Sequence, residues 1–283
     1  MSSQDDISAW PDLLESQIEA NREAHKASIF DRVMVVQETL STQDSAARAC
    51  HGLESDHKAT FLVAGDQLMG RGQRAKNWFD AKGCTLPCSV AIGPETLGLD
   101  NAQLAARAGL AALDAVKCMC ADQRVGIKWP NDIFAGLSPS STAEIQCDTH
   151  ALKKIAGVLI EHAKHSIVIG IGINCLQSSV DLEPSIRDTA ISLKMIQAQT
   201  SRIDLACALI KSLEFWLGHA TTDQVRVHWK EHDALVGTQV KCVYNNRPYV
   251  GSVIAVDPVE AITLQTTEGA VSLPVTQTRL VSV

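Results

Sequence analysis

The chain of 283 residues contains no uninterrupted apolar run approaching the length of about 18 that a membrane-spanning helix needs. It opens MSSQDDISAW, with acids where a secretory leader carries cations and no apolar stretch behind them, so neither a signal peptide nor a membrane anchor is expected. Excess positive charge is missing too: 25 Lys and Arg stand against 32 Asp and Glu, a net charge of −7. General nucleic-acid binding depends on a broad phosphate-neutralising face, which this balance argues against, and any basic cluster must be local. Nine cysteines form no CxxC pair, and an odd number cannot be fully paired within one chain. Reduced, mostly buried thiols in a cytoplasmic protein are the expectation. Nor is there a recognisable metal motif. His228 and His232 are four apart, but the intervening WKE does not give HExxH, and His162 and His165 sit in a turn between two strands. All four are read as structural or surface residues, and no intrinsic zinc site is expected.

What remains is ordinary globular composition, 46% hydrophobic and 20% charged, in a chain long enough for one large domain and a small one. Residues 10–28 have helical spacing, with Leu14 and Ile18 on one side and Pro11 at an allowed early position. A strand is expected at FDRVMVVQ, then a helix capped by Ser41 or Thr42 and running to about Cys50. ATFLVAGDQ and CTLPCSVAIG read as buried strands, and residues 101–121, rich in Leu and Ala, as a core helix. RVGIKWPNDIFA alternates on both sides of a turn at Pro130, and polar GLSPSSTAEIQCDTH reads as a connection between strands. IAGVLIE and SIVIGIGI, separated by HAKH, form a hairpin by pattern. Helices follow over about 202–219 and in TTDQVRVHWKEHDALVG. From TQVKCV onward the alternation and the turns at YNNRP, DPVE and TEGA describe a small antiparallel barrel.

Three clusters have a composition that suits chemistry. In AGDQLMGRGQRAKNW, Gly70 and Gly72 let backbone amides approach a ligand, and Arg71, Arg74 and Lys76 suit carboxylate or phosphate oxygens, although a solvated loop has the same composition. In KWPNDI, Lys128 projects opposite Trp129 while Asn131 and Asp132 sit at the turn; a surface ion pair of Lys128 with Asp132 is the plain alternative. In KKIAG and GIGIN, Lys154 precedes one apolar strand and Asn174 follows another, and Gly170 and Gly172 leave room for a flat group against the backbone.

Taken in order, STQ (41–43), Q-x-x-GRG with Trp78 behind it (67–78), KWPND (128–132), KIAG (154–157) and GIGIN (170–174) closely resemble the biotin protein ligases, over roughly residues 33–283. The resemblance implies an α+β fold: a mixed central β-sheet flanked by helices, like the class II synthetase and lipoate ligase catalytic domains, with a C-terminal SH3-like β-barrel. It implies three segments, an N-terminal helical extension (1–30), a biotin- and ATP-binding catalytic domain (31–235) and the small C-terminal domain (236–283). The implied reaction activates biotin with Mg-ATP to biotinyl-5′-AMP, then transfers the biotinyl group to a lysine of a biotin carboxyl carrier domain of a carboxylase.

Carried over residue by residue, the resemblance makes Lys154, Arg71 and Lys128 catalytic. Ser41, Thr42, Gln67, Gly70, Arg71, Gly72, Trp78, Lys154 and Gly157 would hold biotin; Arg71, Gln73, Lys76, Lys128, Asn131, Asp132 and Asn174 would hold ATP and the magnesium that accompanies it. Homodimers formed at a sheet edge occur among such proteins. About 30 residues precede the catalytic region, too few for the DNA-binding winged helix of the bifunctional members, so no operator binding is expected. This chain departs from the pattern at Gln73, Ala75 and Gln43, where arginine, glycine and asparagine are common. Gln73 removes a cation from the loop thought to retain the adenylate. A lipoate or octanoate ligase is the rival enzyme class, and a catalytically weakened biotin-binding protein the rival of another kind.

Overall fold

The structure is a computed structural model and describes residues 6–50, 58–75, 77–93, 95–120, 124–136, 152–164, 166–198 and 201–282. The polar stretch expected to link two strands, residues 137–151, lies outside the described residues, as do Lys76 and His165. Helix α1 (Trp10–His25) buries Trp10, Leu14 and Ile18, a four-residue spacing that keeps one face on the core, and ends at Lys26 in the left-handed region. Strand β1 (Arg32–Thr39) follows, then α2 (Thr42–Ala49), whose N-cap residue is Ser41 without a side-chain capping bond.

Next come β2 (Ala59–Gln67), the short β3 (Gly70–Arg71) and β4 (Asn77–Trp78), and β5 (Thr85–Ile92). Every residue of β2 and β5 is buried, as expected of strands covered on both faces. Helix α3 (Asn101–Met119) starts at a capping box between Asp100 and Gln103 and leads to β6 (Arg124–Lys128) and β7 (Asp132–Gly136), joined by the turn at 129–131. Strands β8 (Lys153–Ala163) and β9 (Ser166–Asn174) form the hairpin, with Ala163 opposite Ser166. Lys154 therefore lies inside β8 and Asn174 closes β9. The seven-stranded sheet runs β1-β2-β5-β9-β8-β7-β6, and the parallel β1–β2 pair makes it mixed.

Alternation along the strands divides the sheet into two faces. Phe61, Val63, Val90, Ile92, Ile167 and Ile169 join the large core under α1, α3 and α4 (Arg202–Leu213). Leu62, Ala91 and Val168 join Ala46 and Cys50 in a smaller cluster under α2. Farther along that second face the residues become Ser89, Gly157, Gly170 and Gly172, so the sheet there is floored by little more than backbone. That shortage of side chains makes the room for a site.

The helix expected over 202–219 is α-helical to Leu213 and changes to a π turn over Glu214–His219. Glu214 is fully buried. Its carboxylate accepts from Ser28 Oγ at 2.5 Å and from the Ile29 amide at 3.0 Å, which ties the segment after α1 to this turn. Helix α5 (Thr222–His232) then leads through Asp233, which accepts from the Leu235 and Val236 amides, into β10 (Gln239–Tyr244), β11 (Arg247–Asp257), β12 (Ala261–Thr266), β13 (Gly269–Pro274) and β14 (Thr278–Ser282). These strands form an antiparallel sheet in the order β13-β12-β11-β10-β14, and no pairing of β13 with β14 closes it into a barrel among the described residues. The Arg74 guanidinium donates to the Leu280 carbonyl at 3.0 Å, bringing β14 to the GRG loop.

Candidate active site

A cavity of about 440 Å³ opens on the glycine-floored face. Its wall brings together Ser41, Thr42, Gln67, Arg71, Gly72, Gln73, Trp78, Lys128, Asn131, Asp132, Lys154, Gly157 and Asn174. Of the residues singled out from the sequence, Gly70 is not among those lining the cavity. An added Cβ there would stand 2.6 Å from the Trp78 carbonyl and 2.7 Å from Gln67 Nε2, so its role is to let β3 close on β4 beside the cavity.

At the inner end the polar groups are interlocked. Gln67 Oε1 accepts from the Thr42 amide at 2.8 Å and from Thr42 Oγ1 at 3.0 Å, while Ser89 donates to Thr42 Oγ1 at 2.9 Å. All three side chains are buried, so their donors and acceptors are aimed rather than adaptable. Gln43 donates to the Leu159 carbonyl at 3.1 Å and leaves its own carbonyl oxygen without a partner. The sequence suggested that Gly170 and Gly172 leave room for a flat group, and the protein itself supplies it. A Cβ on Gly172 would lie 2.5 Å from the Trp78 indole, and one on Gly170 would lie 2.3 Å from Gln43 Nε2. Trp78 thus lies flat on the β9 backbone, and its buried ring N–H has no partner.

Two of the cations, Arg71 and Lys154, are already paired with carboxylates. Arg71 forms a fork to Asp44, at 2.8 and 2.9 Å, and reaches Glu161 at 2.7 Å. These bonds raise the Arg71 pKa further and hold the Asp44 carboxyl below its usual range. Lys154 Nζ sits 2.6 Å from Asp132 and 5.6 Å from the Trp78 ring centre. The alternative pairing of Lys128 with Asp132 is therefore not what forms. Lys128 lies 5.0 Å over the Phe134 ring. Burial, with the Lys154 charge adding to it, lowers the Lys128 pKa against the pull of Asp132. Three cations thus face three carboxylates, and an anion entering the cavity has to draw Arg71 or Lys154 from an internal partner.

Asn131 and Asn174 serve the frame as well as the cavity. Asn131 donates to the Val158 carbonyl, which fixes the turn against β8. Asn174 donates to the Ile191 carbonyl at 3.0 Å and accepts from Gln177 at 3.0 Å. Asn174 thereby holds the segment 186–191, whose backbone brackets Lys154 through Lys154 N to Thr189 O (2.8 Å) and Ile191 N to Lys154 O (2.9 Å). Asp44, Glu161, Ser89, that segment, and Leu280 with Val281 of β14 are parts of the site that sequence reasoning missed.

Beside the cavity, both oxygens of Asp80 are buried, with the Gln67 backbone amide as a polar neighbour. Burial, reinforced by repulsion from Asp66, lifts its pKa to about 7. The folded state therefore holds a proton that the unfolded chain releases near pH 4, and this group's contribution to stability is lost as pH rises toward 7. Asp80→Asn should flatten that fall: its stability gain over the parent should be larger at pH 8 than at pH 5 by about 1–3 kcal/mol, measured by urea unfolding at both values. An equal gain at both would show Asp80 ionised throughout.

Residues 36–175 match the model of the Biotin/lipoate A/B protein ligase family. The chain is 26% identical over 266 residues to the bifunctional ligase/repressor BirA of Bacillus spizizenii, covering 91% of this chain and 76% of that protein. It is 28% identical over 213 residues to the biotin--[acetyl-CoA-carboxylase] ligase of Mycobacterium tuberculosis, covering 73% of each. Its fold is shared with the biotin protein ligase of Aquifex aeolicus solved in complex with biotin and ATP, at a TM-score of 0.72 and 21% identity over 90% of this chain and all of that one. The fold class, α+β with a mixed central sheet, is the one this biotin protein ligase structure has. Within it, residues 36–175 carry the likeness to the Biotin/lipoate A/B protein ligase family.

Proposed function

We propose that the protein activates biotin with ATP and transfers the biotinyl group to a lysine of a carboxylase carrier domain. The supporting observation is one cavity that collects residues scattered from Ser41 to Asn174, with the Trp78 ring, Lys154, Lys128 and Arg71 on its wall. Its volume falls within the range of about 300–1,000 Å³ usual for small-molecule sites. The Thr42, Gln67 and Ser89 cluster suits a ureido ring, which presents donors and acceptors that a dry pocket must pair. Trp78 on Gly172 makes a flat wall for the fused rings and the acyl tail.

In the first step a biotin carboxylate oxygen bonds to the α-phosphorus, and the bond from that phosphorus to pyrophosphate breaks. Two anions have to meet, and Lys154, Lys128 and Arg71 are the charges that offset their repulsion as negative charge moves in the transition state. Magnesium arrives bound to ATP as part of the substrate, with Asp132 the carboxylate at that end. In the second step a lysine amine bonds to the acyl carbon, the acyl–phosphate bond breaks with AMP leaving, and the amine gives up a proton. A cytoplasmic location belongs to the same reading; no helix among the described residues is long and apolar enough to cross a membrane.

The test is to incubate the protein with biotin, Mg-ATP and a biotin carboxyl carrier domain and to weigh the carrier. A gain of one biotinyl group, dependent on ATP, is expected. Pyrophosphate exchange driven by octanoate or lipoate but not biotin would transfer the protein to the lipoate branch, and biotin binding without exchange would make it a binding protein.

A further inference from the structure

A second cluster of chemistry-bearing side chains lies where α5 packs against α3, and none of its members lines the cavity. His228, Glu231 and His232 follow one another at i, i+3 and i+4 and so share one face of α5. One donor atom from each lies within 4.8 Å of the others. His228 Nδ1 and Glu231 Oε2 are 3.6 Å apart. Two ligand atoms bound at about 2.1 Å to one tetrahedral ion stand about 3.4 Å apart, so this pair is already near its metal-bound spacing.

Hydrogen bonding aims the lone pairs inward. His228 Nε2 is 2.8 Å from Asp114 Oδ1, and a carboxylate only accepts, so a proton is on Nε2 and the other ring nitrogen, Nδ1, faces Glu231. The other Asp114 oxygen accepts from Trp216 Nε1 at 2.8 Å, which fixes the carboxylate in place. His232 Nδ1 donates to the His228 carbonyl at 3.0 Å and leaves Nε2 as the acceptor, and the Lys117 ammonium meets it there. A carboxylate behind an imidazole is the arrangement that orients metal-binding histidines. The cluster also occupies the last turn of α5, where the helix dipole favours positive charge. Lys117 is one cation drawn to it.

We infer that His228 Nδ1, Glu231 and His232 Nε2 form a binding site for a divalent transition metal of the zinc class, with Asp114 as the positioning carboxylate and Lys117 as the cation the metal displaces. Two imidazoles and one carboxylate select zinc, cobalt or nickel over magnesium or calcium. The sequence spacing of the two histidines reads as structural; Asp114, more than a hundred positions away, completes the arrangement. The ion would clamp the end of α5 immediately before Asp233, where the chain turns toward the C-terminal sheet. Its presence is independent of the ligase reading, since it shares no residue with the cavity.

The test titrates the full chain with Co²⁺, whose spectrum distinguishes nitrogen and oxygen ligands from the protein's free thiols, among them exposed Cys118. One equivalent is expected to give visible ligand-field bands without thiolate charge transfer, and Zn²⁺ should displace it where Mg²⁺ and Ca²⁺ do not. His232→Ala should weaken binding by at least about 10-fold and Asp114→Asn by about 10–100-fold, whereas Lys117→Met should tighten it. Asp114 also holds Trp216, so His232→Ala on the helix surface is the variant that decides. A thiolate-dominated spectrum, or an affinity that survives both His228→Ala and His232→Ala, would overturn the site; an unchanged affinity in Lys117→Met would overturn the displacement.

Discussion

Lys154→Ala is expected to lower biotin-dependent pyrophosphate exchange by about 10²–10³-fold while unfolding stability changes by no more than about 1–2 kcal/mol. The separation follows from where the side chain sits. Its ammonium is half-exposed, paired with a half-exposed Asp132 at 2.6 Å, and lies over the Trp78 ring. Partly solvated ion pairs contribute little to folding. The same charge faces the cavity where a carboxylate must approach a phosphate, and there its loss acts fully on the transition state. Lys154→Arg keeps the ion pair with Asp132 but replaces a compact ammonium with a planar fork, and should recover stability without recovering exchange. Exchange near the parent rate in Lys154→Ala would remove the residue from the chemistry, and a loss of several kcal/mol in stability would make its role architectural.

The pairing of that lysine shows how far the sequence could be read. Local patterns located β2 at Ala59–Gln67, the hairpin of β8 and β9, and the helices α1, α3 and α5, because each rests on contacts between near neighbours or on a single apolar face. The cavity residues were legible by a different route, as an ordered set of motifs whose glycines and cations are unusual together. What was not legible is what those residues do to each other. The partners of Arg71 lie 27 and 90 positions away, and an acidic residue in a helix or a hairpin carries no mark of the cation it will meet. The segment 175–198 has no periodicity, since its place is set by backbone bonds to β8 and by Asn174. The alternation after Gly237 gave the five strands but not their closure, which depends on how the sheet's two end strands meet. Of the GRG-loop cations that the sequence offered for ligand oxygens, Arg71 is held by Asp44 and Glu161 and Arg74 by the Leu280 carbonyl, and neither pairing is written in the local sequence.

Gly172→Val is the substitution with the other large expected effect, a fall in biotin affinity of about 100-fold, or about 3 kcal/mol. A first side-chain carbon at this position would already stand 2.5–2.8 Å from three atoms of the Trp78 indole, inside contact distance, and valine adds two more. β9 is paired on both sides, to β5 and to β8, and cannot retreat. The indole must therefore move, and the space open to it is the cavity, so the flat wall is lost and the volume is filled together. Overpacking of this kind also destabilises the fold by about 1–3 kcal/mol, which makes affinity measured by calorimetry below the unfolding temperature the proper reading. A smaller side chain should relieve the clash: Gly172→Ala combined with Trp78→Leu is expected to bind biotin more tightly than the sum of the single losses allows, a coupling that contact between the two positions requires. Strict additivity, or parent-like affinity in Gly172→Val, would mean that Trp78 does not rest on β9 when biotin binds, and the ring would have to be placed elsewhere in the site.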